Sequence, residues 1–131
     1  MPLAQKYGII ADIHSNYIGL KLALDYLRAA RVDKILCLGD IVGKTTDATE
    51  CVQAIRRTVN IYTIAGEEDR QIVQAIEKPK KLPAPTLSES DTRFLKRLPA
   101  GMTIDDTFMM VHGSLVAQDG SILNSQEIKK T

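Results

Sequence analysis

Four short segments place metal-ligating side chains directly after apolar runs. Asp12-Ile13-His14 follows residues 7–11, and Gly39-Asp40-Ile41-Val42-Gly43 follows residues 34–38. Gly66-Glu67-Glu68-Asp69 follows residues 60–65, and His112-Gly113 follows residues 107–111. Carboxylate and imidazole without thiolate suit Mn²⁺, Fe, Zn²⁺ or Mg²⁺ better than a structural zinc. Asp40 follows a glycine that lets the backbone approach closely, so it is placed to bridge two cations. Two metals about 3.5–4 Å apart can clamp a phosphate, lower the pKa of bound water and stabilise a leaving oxygen. Singly, each residue has a plainer use as a turn former or a satisfied polar group. The case rests on the constellation.

That constellation requires elements that bring the four segments to one edge. Residues 7–11 read as a short buried strand that ends in the polar segment 12–16. Asn16 can cap a helix in which Tyr17, Leu20, Leu24 and Leu27 recur at the helical period. Residues 34–38 are a second strand, stopped by Gly39-Asp40. A second helix follows, with Asp47 and Glu50 spaced as a capping box and Ala48, Cys51, Val52 and Ile55 on its apolar side. Residues 60–65 form a third strand, and 68–77 a third helix with Ile72, Val73 and Ile76 on one side. Two successive strand–helix–strand units imply parallel strands joined by right-handed crossovers. Their carboxyl ends then share one edge, where ligands bind in such sheets.

Beyond residue 77 the pattern changes. Pro79, Pro83 and Pro85 rule out regular helix or a central strand over 77–87. Ser88 and Asp91 match a capping box for a short helix ending near Leu98. Residues 102–105 and 107–111 read as a hairpin. Residues 114–131 have weak periodicity and a turn at Asp119-Gly120. The expectation is a single domain over 1–131, of α/β class.

Composition narrows the function classes. With 17 basic and 16 acidic side chains the formal charge is +1, giving no field that would favour nucleic acid or an anionic membrane. The cluster Lys78-Pro79-Lys80-Lys81 is a solvated loop. No apolar stretch approaches the roughly 20 residues of a membrane span. Cys37 in an apolar run and Cys51 on a helix read as reduced thiols of a cytoplasmic protein, and the first residues lack the apolar middle of a signal peptide. A Rossmann-type nucleotide site is disfavoured, because residues 12–16 contain no glycine and would offer phosphate a carboxylate.

The four segments resemble, in order, the motifs of calcineurin-like metallophosphoesterases. The likeness is greatest to small prokaryotic members that carry Ser-Asp-x-His-Ser-Asn, Leu-Gly-Asp-Ile-Val-Gly, Gly-Asn-His-Asp and His-Gly-Ser. Here the text is Ala11-Asp12-Ile13-His14-Ser15-Asn16, Leu38-Gly39-Asp40-Ile41-Val42-Gly43, Gly66-Glu67-Glu68-Asp69 and His112-Gly113-Ser114. The resemblance implies that Asp12 and His14 bind one divalent metal, that Asp40 bridges two, and that His112 binds the second. It implies attack of an activated water on phosphorus, with a phosphorylated small molecule or a phosphodiester as substrate. It also implies a sandwich of two sheets flanked by helices, of which this chain covers the parallel first sheet and the start of the second. A homo-oligomer, or a chain shortened relative to its gene, would cover the apolar surface this leaves.

Two departures bear on turnover. Glu67 stands where the family has a metal-ligating Asn, and Glu68 takes the catalytic place of a His that contacts phosphate. The family's late Gly-His-x-His block has no counterpart, since the chain's two histidines are His14 and His112. Glu67 can still ligate metal through its carboxylate. Glu68 is a poor acid, because nearby cations keep a carboxyl group ionised, and it repels phosphate. The expectation is therefore one ion rather than two, and slow or lost hydrolysis. Asp12, Asp40, Glu67, Glu68 and Asp69 would together put five carboxylates at one edge. The alternative is a non-catalytic domain that keeps the fold to bind a ligand or partner.

Overall fold

The computed structural model describes residues 4–79 and 84–113. Strand β1 (Tyr7–Ile10) pairs in parallel with β2 (Lys34–Cys37), which pairs in parallel with β3 (Ile61–Thr63), in the order β1-β2-β3. Helix α1 (Tyr17–Ala29) connects the first two strands, and α2 (Ala48–Arg57) the second and third. The Asn16 side chain accepts from Gly19 N and caps α1. Because the strand order is sequential, crossovers of one hand put both helices on one face of the sheet. Strand β2, in the middle, is buried on both sides. Its Ile35 and Cys37 face the helices while Leu36 faces away, as the two-residue period requires.

On the helical side, Leu20 and Leu24 of α1 meet Val52 and Ile55 of α2. The same cluster takes in Ile72 and Val73 of α3 (Glu67–Glu77) and Leu95 of α4 (Glu89–Arg97). Arg56 crosses from α2 to α4 and holds the buried Asp91 carboxylate at 2.6 Å. The other sheet face carries Leu36 and Ile64 and is covered by an antiparallel hairpin of β4 (Gly101–Ile104) and β5 (Phe108–Val111), through Ile104 and Met110. Asp105 and Asp106 both have positive φ, +52° and +51°, and Thr107 N donates to Ile104 O. That is a type I′ turn, whose twist suits the two strands. The α/β class, the parallel sheet and the start of a second sheet agree with the sequence reading.

Two expected details differ. Asp47 precedes α2 but makes no side-chain cap, because its φ of +72° turns the carboxylate away from the first-turn amides. At α4, Ser88 does accept from Asp91 N, but the Asp91 side chain is taken by Arg56 and completes no reciprocal box. Lys80, Lys81, Ser114 and the turn expected at Asp119-Gly120 lie outside the described residues.

Asp105 ties the hairpin to the parallel sheet. Tyr7 Oη donates to Asp105 Oδ2 and Lys34 Nζ to Asp105 Oδ1, each at 2.5 Å. Lys34 first, and then Tyr7, hold the Asp105 carboxyl below its ordinary value of 3.8. A depressed folded-state pKa gives stabilisation that is in place above pH 3.8 and is lost as pH falls through the lowered value. Acid titration followed by Met110 methyl NMR is expected to show the hairpin loosening in that window. Asp105→Asn is expected to remove the acid step and to show the loosened signal at neutral pH.

Candidate metal centre

The turn after β1 is laid against the turn after β2 by backbone hydrogen bonds. Asp12 N donates to Gly39 O at 3.1 Å, His14 N to Asp40 O at 2.9 Å and Ser15 N to Ile41 O at 2.9 Å. Gly43 N closes the array by donating to Ser15 Oγ at 2.8 Å. The backbone is strained to do this: φ is +56° at Asp12, +47° at His14, +61° at Ser15 and +54° at Asp40. Left-handed conformations cost non-glycine residues roughly 1–2 kcal/mol each, and such strain gathers at functional sites.

Two glycines allow the ends of β2 and β3 to touch. Gly39 has φ +91°, and a Cβ on Gly66 would lie 2.1 Å from Asp40 Oδ1 and 2.3 Å from Asp40 N. Gly66→Ala must therefore displace Asp40. The expected result is a loss of about 1–3 kcal/mol in a urea titration, as for other overpacked sites, together with weakened Mn²⁺ binding in calorimetry.

Asp40 is the hub. Its Oδ1 accepts from Glu68 N at 3.0 Å. Its Oδ2 lies 3.1 Å from His112 Nε2 and 3.7 Å from His14 Nε2. Asp12 Oδ1 is 4.0 Å from His14 Nε2, and one ligating atom from each of Asp12, His14 and Asp40 falls within 4.8 Å of the others. The opposite ring nitrogens decide the tautomers. His112 Nδ1 lies 2.6 Å from Leu38 O, and His14 Nδ1 lies 2.5 Å from Glu68 Oε2. A carbonyl and a carboxylate accept only, so each Nδ1 carries the proton. Each imidazole thus turns its Nε2 toward the Asp40 carboxylate. A proton on Nε2 or a shared cation satisfies such an approach, and imidazole with carboxylate is a suitable donor set for a divalent ion.

The remaining expected residues fall in two groups. Glu67 begins α3 and lines the same cleft, but its Oε1 accepts from Gln71 Nε2 at 3.1 Å, and it stands outside the cluster of Asp12, His14 and Asp40. Asp69 corrects the expectation of five carboxylates at one edge. It is fully buried and turned inward, where Oδ1 accepts from Ile41 N at 2.8 Å and Val42 N at 3.0 Å, and Oδ2 from Gly66 N at 2.9 Å. Burial pushes its carboxyl pKa up, with the Asp40 charge adding to the rise and the three backbone donors opposing it. Its position three residues after Gly66 is that of a helix N3 acid, and that spacing was the available signal. The sequence reading also passed over Lys44 and Gln71, which line the cleft.

The cleft has a volume of about 750 Å³ and is bordered by Asp12, His14, Asp40, Glu67, Glu68 and His112. Residues 6–130 match the calcineurin-like phosphoesterase superfamily domain, and the chain belongs to that superfamily. Within it, the chain is similar to the metallophosphoesterase from Sphaerobacter thermophilus, at 26% identity and TM-score 0.74, over 97% of this chain and 54% of that one. A solved protein provisionally named a diadenosine tetraphosphatase shares the fold, at 24% identity and TM-score 0.64, over 88% of this chain and 53% of that one. The uncharacterized protein MJ0912 of Methanocaldococcus jannaschii is 41% identical over 62 residues, which are 47% of this chain and 25% of that protein. The chain thus spans about half the length of the two solved relatives and a quarter of MJ0912.

Proposed function

We propose that the chain is a divalent-metal-binding metallophosphoesterase domain in which Asp12, His14 and Asp40 hold one ion. The observation that carries this reading is the pair of imidazole Nε2 atoms directed at Asp40 Oδ2 with both Nδ1 protons already committed. His112 and Glu67 are the residues on the side of a second ion, which this set serves less well. When bound, a divalent cation neutralises phosphate charge and lowers the pKa of coordinated water. Asp40 stands between the two imidazoles, Asp12 adds a second carboxylate, and Lys44 is the one cationic side chain among the described residues that line the cleft. The substrate class is a phosphorylated small molecule or a phosphodiester, hydrolysed slowly. No proton donor has been supplied at Glu68, whose carboxylate is engaged by His14.

That engagement also favours a second reading, a non-catalytic domain that binds a phosphorylated ligand or a protein. Generic phosphomonoesters and phosphodiesters assayed with added Mn²⁺, beside Asp40→Asn, separate the two. Hydrolysis that disappears in Asp40→Asn supports the enzyme. Hydrolysis that persists unchanged sinks it, and metal binding without any turnover favours the binding domain.

We also infer a homo-oligomer in the cytoplasm. Among the described residues β1 pairs only with β2, and Ile9 on this edge strand is 66% exposed. Separately, α1 exposes Ile18, Leu22 and Tyr26 at the helical period, 72%, 65% and 74% exposed. Such a surface is suited to burial against a second copy. Light scattering on the eluting chain is expected to give a multiple of the 14.5 kDa mass, and a clean monomer would contradict this. Cys37 and Cys51 are free and buried, with burial raising their thiols to about 12 and about 11, which fits a reducing compartment. No helix among the described residues is long and apolar enough to cross a membrane.

A further inference from the structure

Glu68 stands at the first turn of α3, at the edge of the cleft, and makes two contacts with different parts of the centre. Its backbone N–H fixes Asp40 Oδ1 at 3.0 Å, and its side chain reaches His14 Nδ1 at 2.5 Å. We propose that Glu68 is a positioning residue for His14: its carboxylate fixes the Nδ1–H tautomer and points Nε2 into the metal centre. The inference rests on the metal-binding reading above, and it gives a positive role to the side chain least suited to proton donation.

A neutral histidine in water favours the Nε2–H form, in which Nε2 has no lone pair for a metal. A carboxylate on Nδ1 reverses that preference and raises the basicity of Nε2 as a ligand, the arrangement of a carboxylate–histidine–metal triad. His14 needs such a device more than His112 does. The His112 ring is only 14% exposed and is held by the Leu38 carbonyl, a fixed backbone group at the end of β2. The His14 side chain is 46% exposed, and its Nδ1 is met by the Glu68 carboxylate, which is itself 24% exposed. The helix supports the arrangement, because acidic side chains in a first turn are favoured by the helix dipole, and Glu67, Glu68 and Asp69 fill that turn of α3. The two contacts are separable. Replacing the Glu68 side chain leaves the backbone donor to Asp40 in place.

The test uses the whole chain, which has only two histidines, so each ring can be followed by long-range ¹H–¹⁵N NMR. In the metal-free protein at about pH 8, above the ordinary imidazole range, both rings are expected to show the Nδ1–H form. Glu68→Ala is expected to return His14 to the Nε2–H-rich mixture while His112 stays unchanged, an internal control that a general loss of structure would not spare. In the same variant, affinity for Mn²⁺ measured by calorimetry is expected to fall about 10–100-fold, the usual range for loss of such a partner. Glu68→Gln keeps an acceptor oxygen at the same reach, and is expected to restore the His14 tautomer and much of the affinity. A His14 ring that keeps Nδ1–H in Glu68→Ala would overturn the inference. So would a tautomer change that leaves Mn²⁺ affinity untouched. A wild-type chain that binds no Mn²⁺, with the tautomer shift intact, would instead overturn the metal-binding reading on which the inference rests.

Discussion

Asp40→Ala is expected to lower divalent-metal affinity by at least about 100-fold, more than loss of a group that only orients a ligand. The reason is its place between the two imidazoles. Oδ2 is 3.1 Å from His112 Nε2 and 3.7 Å from His14 Nε2, so one substitution removes the anion that both ring nitrogens face. Asp12 alone then carries negative charge in the three-residue cluster. Asp40→Asn is the more discriminating variant. It keeps an oxygen for the Glu68 amide and nearly the same shape, but carries no charge to hold a cation. Calorimetric titration with Mn²⁺, with circular dichroism as a check on folding, measures both. Binding by Asp40→Ala within about threefold of the parent, where a lost ligand should cost more than a lost orienting group, would remove Asp40 from the ligand set.

Asp69→Ala is expected to damage the protein through stability. Three backbone N–H groups, from Ile41, Val42 and Gly66, converge on a fully buried carboxylate. Alanine leaves all three without an acceptor in a region closed to water. Each unsatisfied donor costs about 1–3 kcal/mol, and partial relaxation makes a net loss of roughly 3 kcal/mol the expected outcome. For a domain of this size that lowers the thermal midpoint by about 10 °C. Asp69→Asn should lose less, since it keeps one acceptor oxygen but turns an amide N–H₂ toward a donor. A thermal melt of Asp69→Ala within about 2 °C of the parent would mean that these donors find other partners.

The two variants also show what could be read in the chain. The alternation of strand and helix was legible because short apolar runs alternate with segments whose apolar residues recur at the helical period, with glycines after β2 and β3. The convergence of Asp12, Asp40 and Glu67 followed from parallel topology, which brings distant segments to one edge, whereas His112 arrives at the end of the antiparallel hairpin. Side-chain direction was not legible. Asp69 and Glu68 are neighbours in the same helical turn, yet one is buried beneath the Asp40 loop and the other reaches His14. That division depends on the phase of α3 against the sheet. Asp47 failed as a cap for a similar reason, since its positive φ is set by the loop that delivers it. In sequence Glu68 is only a poor substitute for an acid, and its distance to His14 is what gives it a partner.

In the proposed metal centre, Asp12, His14 and Asp40 surround one divalent ion at the carboxyl ends of β1 and β2. Crystals of the chain grown with Mn²⁺, with anomalous diffraction recorded at the manganese edge, test it most directly. The expected result is a peak bonded to Asp12 Oδ1, His14 Nε2 and Asp40 Oδ2, with the His14 Nδ1–Glu68 contact retained. Full-occupancy manganese elsewhere, or no peak between these three side chains at saturating metal, would contradict it.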